Sequence, residues 1–269
     1  MSTKKLILNK KVKRLIWISN SILSLIILLV IVRSLQKRIQ CSEIQISILD
    51  TTNNYFIDKN DVLDLIYNNF GNVVGYSFDS INIALIEKKL NKNPFIKQAE
   101  VYKTVHGELV VEIEQRNPIL RIINSKQQSY YIDYDGIIMP VSDKFTSLEI
   151  LASGNIAKSF NFSDLSSLPV INDDFKNKTL KELFILAKFL NDNLFYQALV
   201  EQIYVNEKDE YELIPRVGNH IIEFGDISDY EEKFRNLKEF YKRGINKLGW
   251  EKYSKVSLKY KNQIVCTLK

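Results

Sequence analysis

NPFIKQAEVYKTVHGELVVEIEQRNPI, residues 93–119, is the stretch that decides the fold. Pro94 has no N–H for a helical ladder and restricts Asn93 before it, so any preceding helix must stop there. Ile96–Lys103 then reads as a strand. His106-Gly107 supplies a turn, and Leu109, Val111 and Ile113 alternate with Val110, Glu112 and Glu114 in a second strand. Upstream, Ile83, Ile86 and Leu90 recur at helical spacing, giving a helix from about Ser80 or Asn82. Gly71 and Gly75 separate it from an earlier helix, capped by Asp58, with Val62, Leu65, Ile66 and Asn69 on one face. Before that helix, Thr51-Thr52-Asn53-Asn54 turns the chain out of a strand in which Ile44, Ile46 and Ile48 alternate with polar residues. The order is β-α-α-β-β across residues 41–117.

Downstream, residues 118–269 read as strand-rich, with helices between the strands. Ile119–Ile123 and Tyr130–Pro140 are strand runs, the latter folded back at Asp135-Gly136. Residues 142–170 show no firm period. Thr179-Leu180-Lys181-Glu182 has the form of a capping box and opens a helix with Leu180, Leu183, Phe184, Ala187 and Leu194 on one stripe. Ile203–Val205, Tyr211–Ile214 and His220–Phe224 read as strands. Ser228-Asp229-Tyr230-Glu231 reads as a second capping box, before a helix presenting Tyr230, Phe234, Leu237 and Tyr241. Val256–Tyr260 and Gln263–Leu268 close the chain as strands. The fold class expected is α+β.

The N-terminus carries a different signal. Leu15 to Val32 holds no charge and reaches roughly 27 Å as a helix, near the thickness of a bilayer's hydrocarbon core. Leu15, Leu25, Ile27 and Val32 supply its apolar surface, and Trp17 suits the membrane interface. Six Lys/Arg precede the run and three follow it. That asymmetry keeps residues 1–14 in the cytoplasm, makes 15–34 the transmembrane helix, and puts the rest of the chain outside. A cleaved signal peptide is the competing reading. The long apolar run and the poor cleavage context at Ser34-Leu35-Gln36-Lys37-Arg38 favour an uncleaved anchor.

Charge then excludes one class of partner. Residues 1–40 contain nine of the 37 Lys and Arg and no acidic residue, leaving 28 basic against 32 acidic side chains beyond them. A body with a net charge of −4 has no general footprint for nucleic acid. Cys41 and Cys266 form neither a disulfide framework nor a zinc pattern, and are read as two unpaired thiols. No Walker loop, G-x-G-x-x-G or G-x-S-x-G stretch occurs, and the two histidines, His106 and His220, leave little for triads or metal cages. Asp133 and Asp135 lack the further oxygens of a calcium loop and read as a hairpin turn. The expectation is a non-enzyme without catalytic residues, metal, cofactor or small-molecule substrate.

Lys255-Val256-Ser257-Leu258-Lys259-Tyr260-Lys261 alternates, with Val256, Leu258 and Tyr260 on one face. Two readings stay open from the pattern: a strand whose lysines blunt an edge, or an edge that accepts a partner's strand. In sum, these features resemble the bacterial cell-division family FtsQ/DivIB. The carrying residues are Asn93–Tyr102, Gly107–Ile113 and Gln115–Ile119, then Tyr131-Ile132-Asp133-Tyr134-Asp135-Gly136, Leu168-Pro169-Val170-Ile171 and Ile222-Glu223-Phe224-Gly225. The final run is similar to the family's Val-Asp-Leu-Arg-Tyr, with Ser257 and Lys259 replacing Asp and Arg.

The resemblance implies a POTRA (polypeptide-transport-associated) domain at 41–117 and an FtsQ-type β domain at 118–269. It implies an inner-membrane protein of the division septum, with a periplasmic body, that links early division proteins to septal peptidoglycan synthesis. Its partners would be FtsB-like and FtsL-like proteins, the first adding a strand to the terminal edge, and other division-site membrane proteins. On this reading Ser257, Lys259, Tyr260, Lys261 and Gln263 supply selectivity. The alternatives are a POTRA-bearing component of membrane transport or outer-membrane assembly, and a tethered hydrolase.

Overall fold

The computed structural model describes residues 10–36, 39–49, 54–163, 167–172, 175–245, 249 and 251–269. The tail residues 1–9 and the expected turn at Thr51-Thr52-Asn53 lie outside that set. Helix α1 (Lys10–Gln36) contains one apolar stretch, Arg14–Val32, of mean hydropathy 2.6, none of it buried. It is long and apolar enough to cross a membrane. Leu15, Trp17, Leu25, Ile27 and Val32 are between 45% and 76% exposed along it.

The chain divides into two compact units. The first comprises residues up to Ser47, Lys59–Lys88 and Glu100–Glu112; the second comprises Ile48–Asp58, Lys89–Ala99 and Ile113–Lys269. The elements of the POTRA-like region are β1 (Glu43–Leu49), α2 (Lys59–Phe70), α3 (Ile83–Leu90), β2 (Ile96–Lys103) and β3 (Glu108–Gln115), with sheet order β1-β3-β2. The expected β-α-α-β-β order is therefore the observed one. In α2 the buried residues are Val62 and Ile66; Asn69 faces out, its amide donating to the Leu65 carbonyl at 2.7 Å. Asn82 caps α3 by accepting the Leu85 N–H at 3.0 Å. Asn93 ends the turn after it by accepting the Phe95 N–H at 2.9 Å. Gly107 closes the β2–β3 hairpin at φ +91°, donating to the Thr104 carbonyl.

The second unit is built on a mixed nine-stranded sheet, ordered β12-β11-β10-β9-β8-β7-β4-β5-β6. Its strands are β4 (Pro118–Ile123), β5 (Ser129–Asp133), β6 (Ile138–Pro140), β7 (Ile150–Gly154), β8 (Val200–Val205), β9 (Tyr211–Pro215), β10 (Ile221–Gly225), β11 (Tyr253–Ser257) and β12 (Val265–Leu268). The β4–β7, β7–β8 and β10–β11 pairs are parallel. Parallel neighbours need a long crossover. α6 (Tyr230–Glu239), continued by a π-helical turn over Phe240–Ile245, makes the one between β10 and β11. Helices α4 (Lys178–Asn191) and α5 (Leu194–Leu199) lie between β7 and β8. One core joins them to the sheet: Leu183, Leu186, Ala187 and Leu190 pack with Leu120, Ile203, Leu213, Phe224, Phe234 and Leu237.

Several local expectations change. The cap of α4 is Asn177, whose side chain accepts the Leu180 N–H at 2.9 Å; Thr179 sits inside the first turn. Leu194 lies beyond α4, at the start of α5, and is 83% exposed. At α6, Ser228 turns back onto Asp226 instead of capping, and Asp229 stands at the cap position with φ +50° and no side-chain cap bond. β7 occupies part of the stretch that showed no period. The last strand pair is also displaced: β11 ends at Ser257, so Lys259 and Tyr260 are outside it.

Asp133 does form a turn. It accepts the N–H groups of Asp135 at 3.0 Å and Ile137 at 2.7 Å, and Gly136 adopts φ +80°.

Candidate partner-binding edge of the C-terminal sheet

The edge is assembled by β10, α6, β11 and β12. Parallel pairing sets Ile221, Ile222 and Glu223 opposite Lys255, Val256 and Ser257, and Leu258 N–H extends the contact to the Glu223 carbonyl at 2.8 Å. Val256 and Leu258 are buried, fixing β11 against the core by the burial of two aliphatic side chains. Antiparallel pairing then lays β12 beside β11, with Val256 opposite Cys266 and Ser257 opposite Val265.

The two ends of the sheet differ. β6 is three residues long and ends in Pro140; Pro169–Ile171 run beside it, joined by an Ile137–Val170 bridge and the Ile138 N–H to Pro169 carbonyl bond of 2.8 Å. That end is covered and blunted. At the other end, among the described residues, β12 has a ladder neighbour on one side only. Its sequence, Val-Cys-Thr-Leu, contains no charge and no proline. Val265 and Leu268 are 42% and 60% exposed. Natural edges are usually guarded by lysine, proline or extreme shortness, because a bare edge templates further pairing.

The five residues named from the sequence do not share one role. Ser257 is inside the sheet, between β10 and β12, and 6% exposed. Its side chain is not offered to a partner. Lys259 reaches Glu210 Oε2, and its stem lies against Gly225, where an added Cβ would meet Lys259 Cγ at 3.0 Å. The hydrogen bond from Lys259 holds the Glu210 carboxyl below its ordinary range, and Glu210 in turn pushes the Lys259 ammonium up. Beside it, Lys255 bonds Glu223 at 3.0 Å and lowers that carboxyl likewise. Two of the alternating lysines, Lys255 and Lys259, thus pair with Glu223 of β10 and with Glu210 just before β9. Lys261 lies beyond them, exposed.

Tyr260, Lys261 and Gln263 lie in the β11–β12 connection. Gln263 N–H bonds the Tyr260 carbonyl, and Asn262 takes φ +59°, a conformation Asn tolerates better than most residues. Tyr260 is 53% exposed. Lys259, Tyr260, Lys261 and Gln263 border a cavity of about 130 Å³ against Asp226–Asn236 at the start of α6. A second hollow, about 400 Å³, continues past Asn236, Glu239 and Phe240 to Gln263 and Ile264. Four of the five residues therefore line a groove leading onto β12. β12 itself, Val265 to Leu268, was not singled out from the sequence, although Gln263–Leu268 read there as a strand.

Other chemistry-bearing groups are tied into structure. His220 is buried and its Nε2 lies 2.6 Å from the Tyr241 hydroxyl; burial lowers its pKa from 6.5. Asp133 is joined to Arg116 at 3.0 Å. Cys41 and Cys266 are free thiols, both pushed up by burial. Among the described residues no group of three His, Cys, Asp or Glu is placed to hold a metal ion.

A β-α-α-β-β unit followed by a mixed nine-stranded sheet defines the class: a POTRA-bearing α+β protein. Comparison with known families agrees. Residues 39–114 match the POTRA-like domain, and residues 117–267 match the family described as FtsQ/DivIB, C-terminal related. The second match covers more than half of the chain, and the chain belongs to the FtsQ/DivIB family. It is a division-related POTRA protein, built from domains of a non-catalytic scaffold type. No curated protein matches it.

Proposed function

We propose that this chain is a single-pass inner-membrane scaffold of the division septum that receives a partner's strand along β12. Residues 1–14 lie in the cytoplasm, the span follows at 15–34, and the POTRA-like domain (41–117) and β domain (118–269) stand in the periplasm. FtsB-like and FtsL-like proteins are the partners of the β domain, and other division-site membrane proteins meet the POTRA-like unit. The scaffold thereby links early and late components of septal peptidoglycan synthesis.

The observation that supports this most is the contrast between the two sheet ends. β6 ends in proline and is covered by Pro169–Ile171, whereas the four-residue β12 carries no charge and, among the described residues, is paired on one side. Strand addition draws affinity from main-chain hydrogen bonds and selectivity from side chains around them. Tyr260, Lys261 and Gln263 stand at the start of that edge, where exposed groups bias partner choice. Ser257 and Lys259 act from behind, by holding β11 in place.

The test is capture of FtsB-like and FtsL-like proteins by the full chain carrying Cys266→Pro or, separately, Thr267→Pro. Alternate N–H groups of a terminal strand point outward, so one of the two adjacent prolines removes a donor the partner needs. Loss of capture by one of them, with the fold intact by circular dichroism, is expected. Undiminished capture by both overturns strand addition at β12.

A further inference from the structure

The linker leaving α1 is held by two loops of the first unit. Ile39 carbonyl accepts the Phe78 N–H at 3.3 Å, Gln40 bridges Ser77, and Cys41 exchanges backbone bonds with Gly75 and Tyr76 at 2.7 and 2.8 Å. On the other side, Ser42 donates both its N–H, at 2.7 Å, and its hydroxyl, at 2.9 Å, to the Gly107 carbonyl. The packing there is close: a Cβ on Gly107 would stand 2.8 Å from the Gln40 carbonyl oxygen. Residues 39–42 are thus clamped between the loop after α2 and the tip of the β2–β3 hairpin.

Chain length fixes how far these loops can stand from the end of α1. Three Cα steps separate Gln36 from Ile39, at most about 11 Å of extended chain. The apolar stretch of α1 ends at Val32. Four more helical residues add about 6 Å of rise, about the depth of one headgroup layer. Both loops present apolar surface at this end. Val105, at the hairpin tip, is 84% exposed, and Tyr76 is 60% exposed. Beside Tyr76 lies a hollow of about 380 Å³ whose lining includes Phe70, Val73, Ile81 and Ile86. In water an exposed valine and tyrosine gain nothing, whereas the interfacial layer favours tyrosine and apolar side chains.

We propose that this end of the POTRA-like unit is a membrane-contact face, with Tyr76 and Val105 seated in the lipid headgroup region around the exit of α1. The inference rests on α1 crossing the bilayer, and one arm of the test checks that separately. The full-length chain is reconstituted in nanodiscs of phosphatidylethanolamine and phosphatidylglycerol. Photoreactive benzoylphenylalanine replaces Val105, Tyr76, Leu25 within α1, or Asn60, an exposed residue at the opposite end of α2. Lipid adducts are then counted by mass spectrometry.

Adducts at Val105 and Tyr76 several-fold above those at Asn60, with strong adducts at Leu25, are expected. Strong adducts at Leu25 with Val105 and Tyr76 at the Asn60 level overturn the contact face and leave the anchor standing. Crosslinks from Val105 and Tyr76 to protein in place of lipid overturn it as well, assigning the face to a second chain. No adduct at Leu25 overturns both.

Discussion

Replacing Arg116 with methionine should destabilise the second unit by an amount that depends on pH. Arg116 Nη1 lies 3.0 Å from Asp133 Oδ2, and the two side chains are 14% and 2% exposed. Burial pushes the Asp133 carboxyl above its ordinary 3.8, and outweighs the Ile137 N–H and the Arg116 guanidinium, which pull it down. Because the folded value is raised, the stability tied to this proton is fully present below 3.8 and is lost as pH rises through the raised value. Without the guanidinium the carboxyl rises further, so the loss at neutral pH deepens.

Stranding a buried charge by removing its partner costs about 3–5 kcal/mol. With a urea slope of about 2 kcal/mol/M, the midpoint at pH 7 should fall by roughly 1.5–2.5 M. Toward pH 4 the raised carboxyl is progressively neutralised in the folded chain, and the deficit should shrink. Adding Asp133→Asn keeps an acceptor for the Asp135 and Ile137 N–H groups while removing the stranded charge, and should recover most of the loss. Urea denaturation followed by far-ultraviolet circular dichroism at both pH values measures all of this. A deficit equal at pH 4 and pH 7, or a double variant no better than Arg116→Met, refutes the reasoning.

Tyr241→Phe removes the partner of buried His220 Nε2 and should cost about 1–3 kcal/mol in denaturant titrations. Burial depresses the His220 pKa, so its contribution is present above 6.5 and lost as pH falls through the depressed value; His220→Asn should flatten the slope of stability between pH 7 and 5. Gly154→Ala should unfold or severely destabilise the second unit, because φ is +100° and the new Cβ would run into the Val205 carbonyl oxygen. Thermal melting reads this directly, and an unchanged midpoint would contradict the β7–β8 register.

Much of the architecture could be read along the chain, where the deciding signals were local. Pro94 stops a helix whatever surrounds it, and β2 spans the expected Ile96–Lys103. The apolar stripe expected after Asp229 appears as the buried Phe234 and Leu237 of α6 and Tyr241 of the π-helical turn that continues it. What escaped depends on partners distant in sequence. β7 is flanked on both sides by parallel strands and contains Ala152, Ser153 and Gly154, which carry little strand signal of their own.

The strand neighbours of the terminal lysine run were hidden for a related reason. Alternation through Lys255, Lys259 and Lys261 looks like a solvent-facing row. Yet Lys255 and Lys259 are occupied by Glu223 and Glu210, acids brought near by the β9–β10–β11 pairing. Nothing local to residues 255–261 reveals that β10 runs parallel beside them, nor that the chain turns after Ser257 to lay one more strand outside. Capping was legible only to within two residues at α4. There Asn177 outcompetes Thr179 because its side chain reaches the Leu180 N–H.

The most direct measurement of the central claim is hydrogen exchange of the β12 amides, in the full chain with and without an FtsB-like partner. Strand addition predicts that exchange slows at alternate residues within Val265–Leu268 when the partner binds, while the amides of β6 are unaffected. Tight binding that leaves every β12 amide exchanging as in the free chain would contradict it.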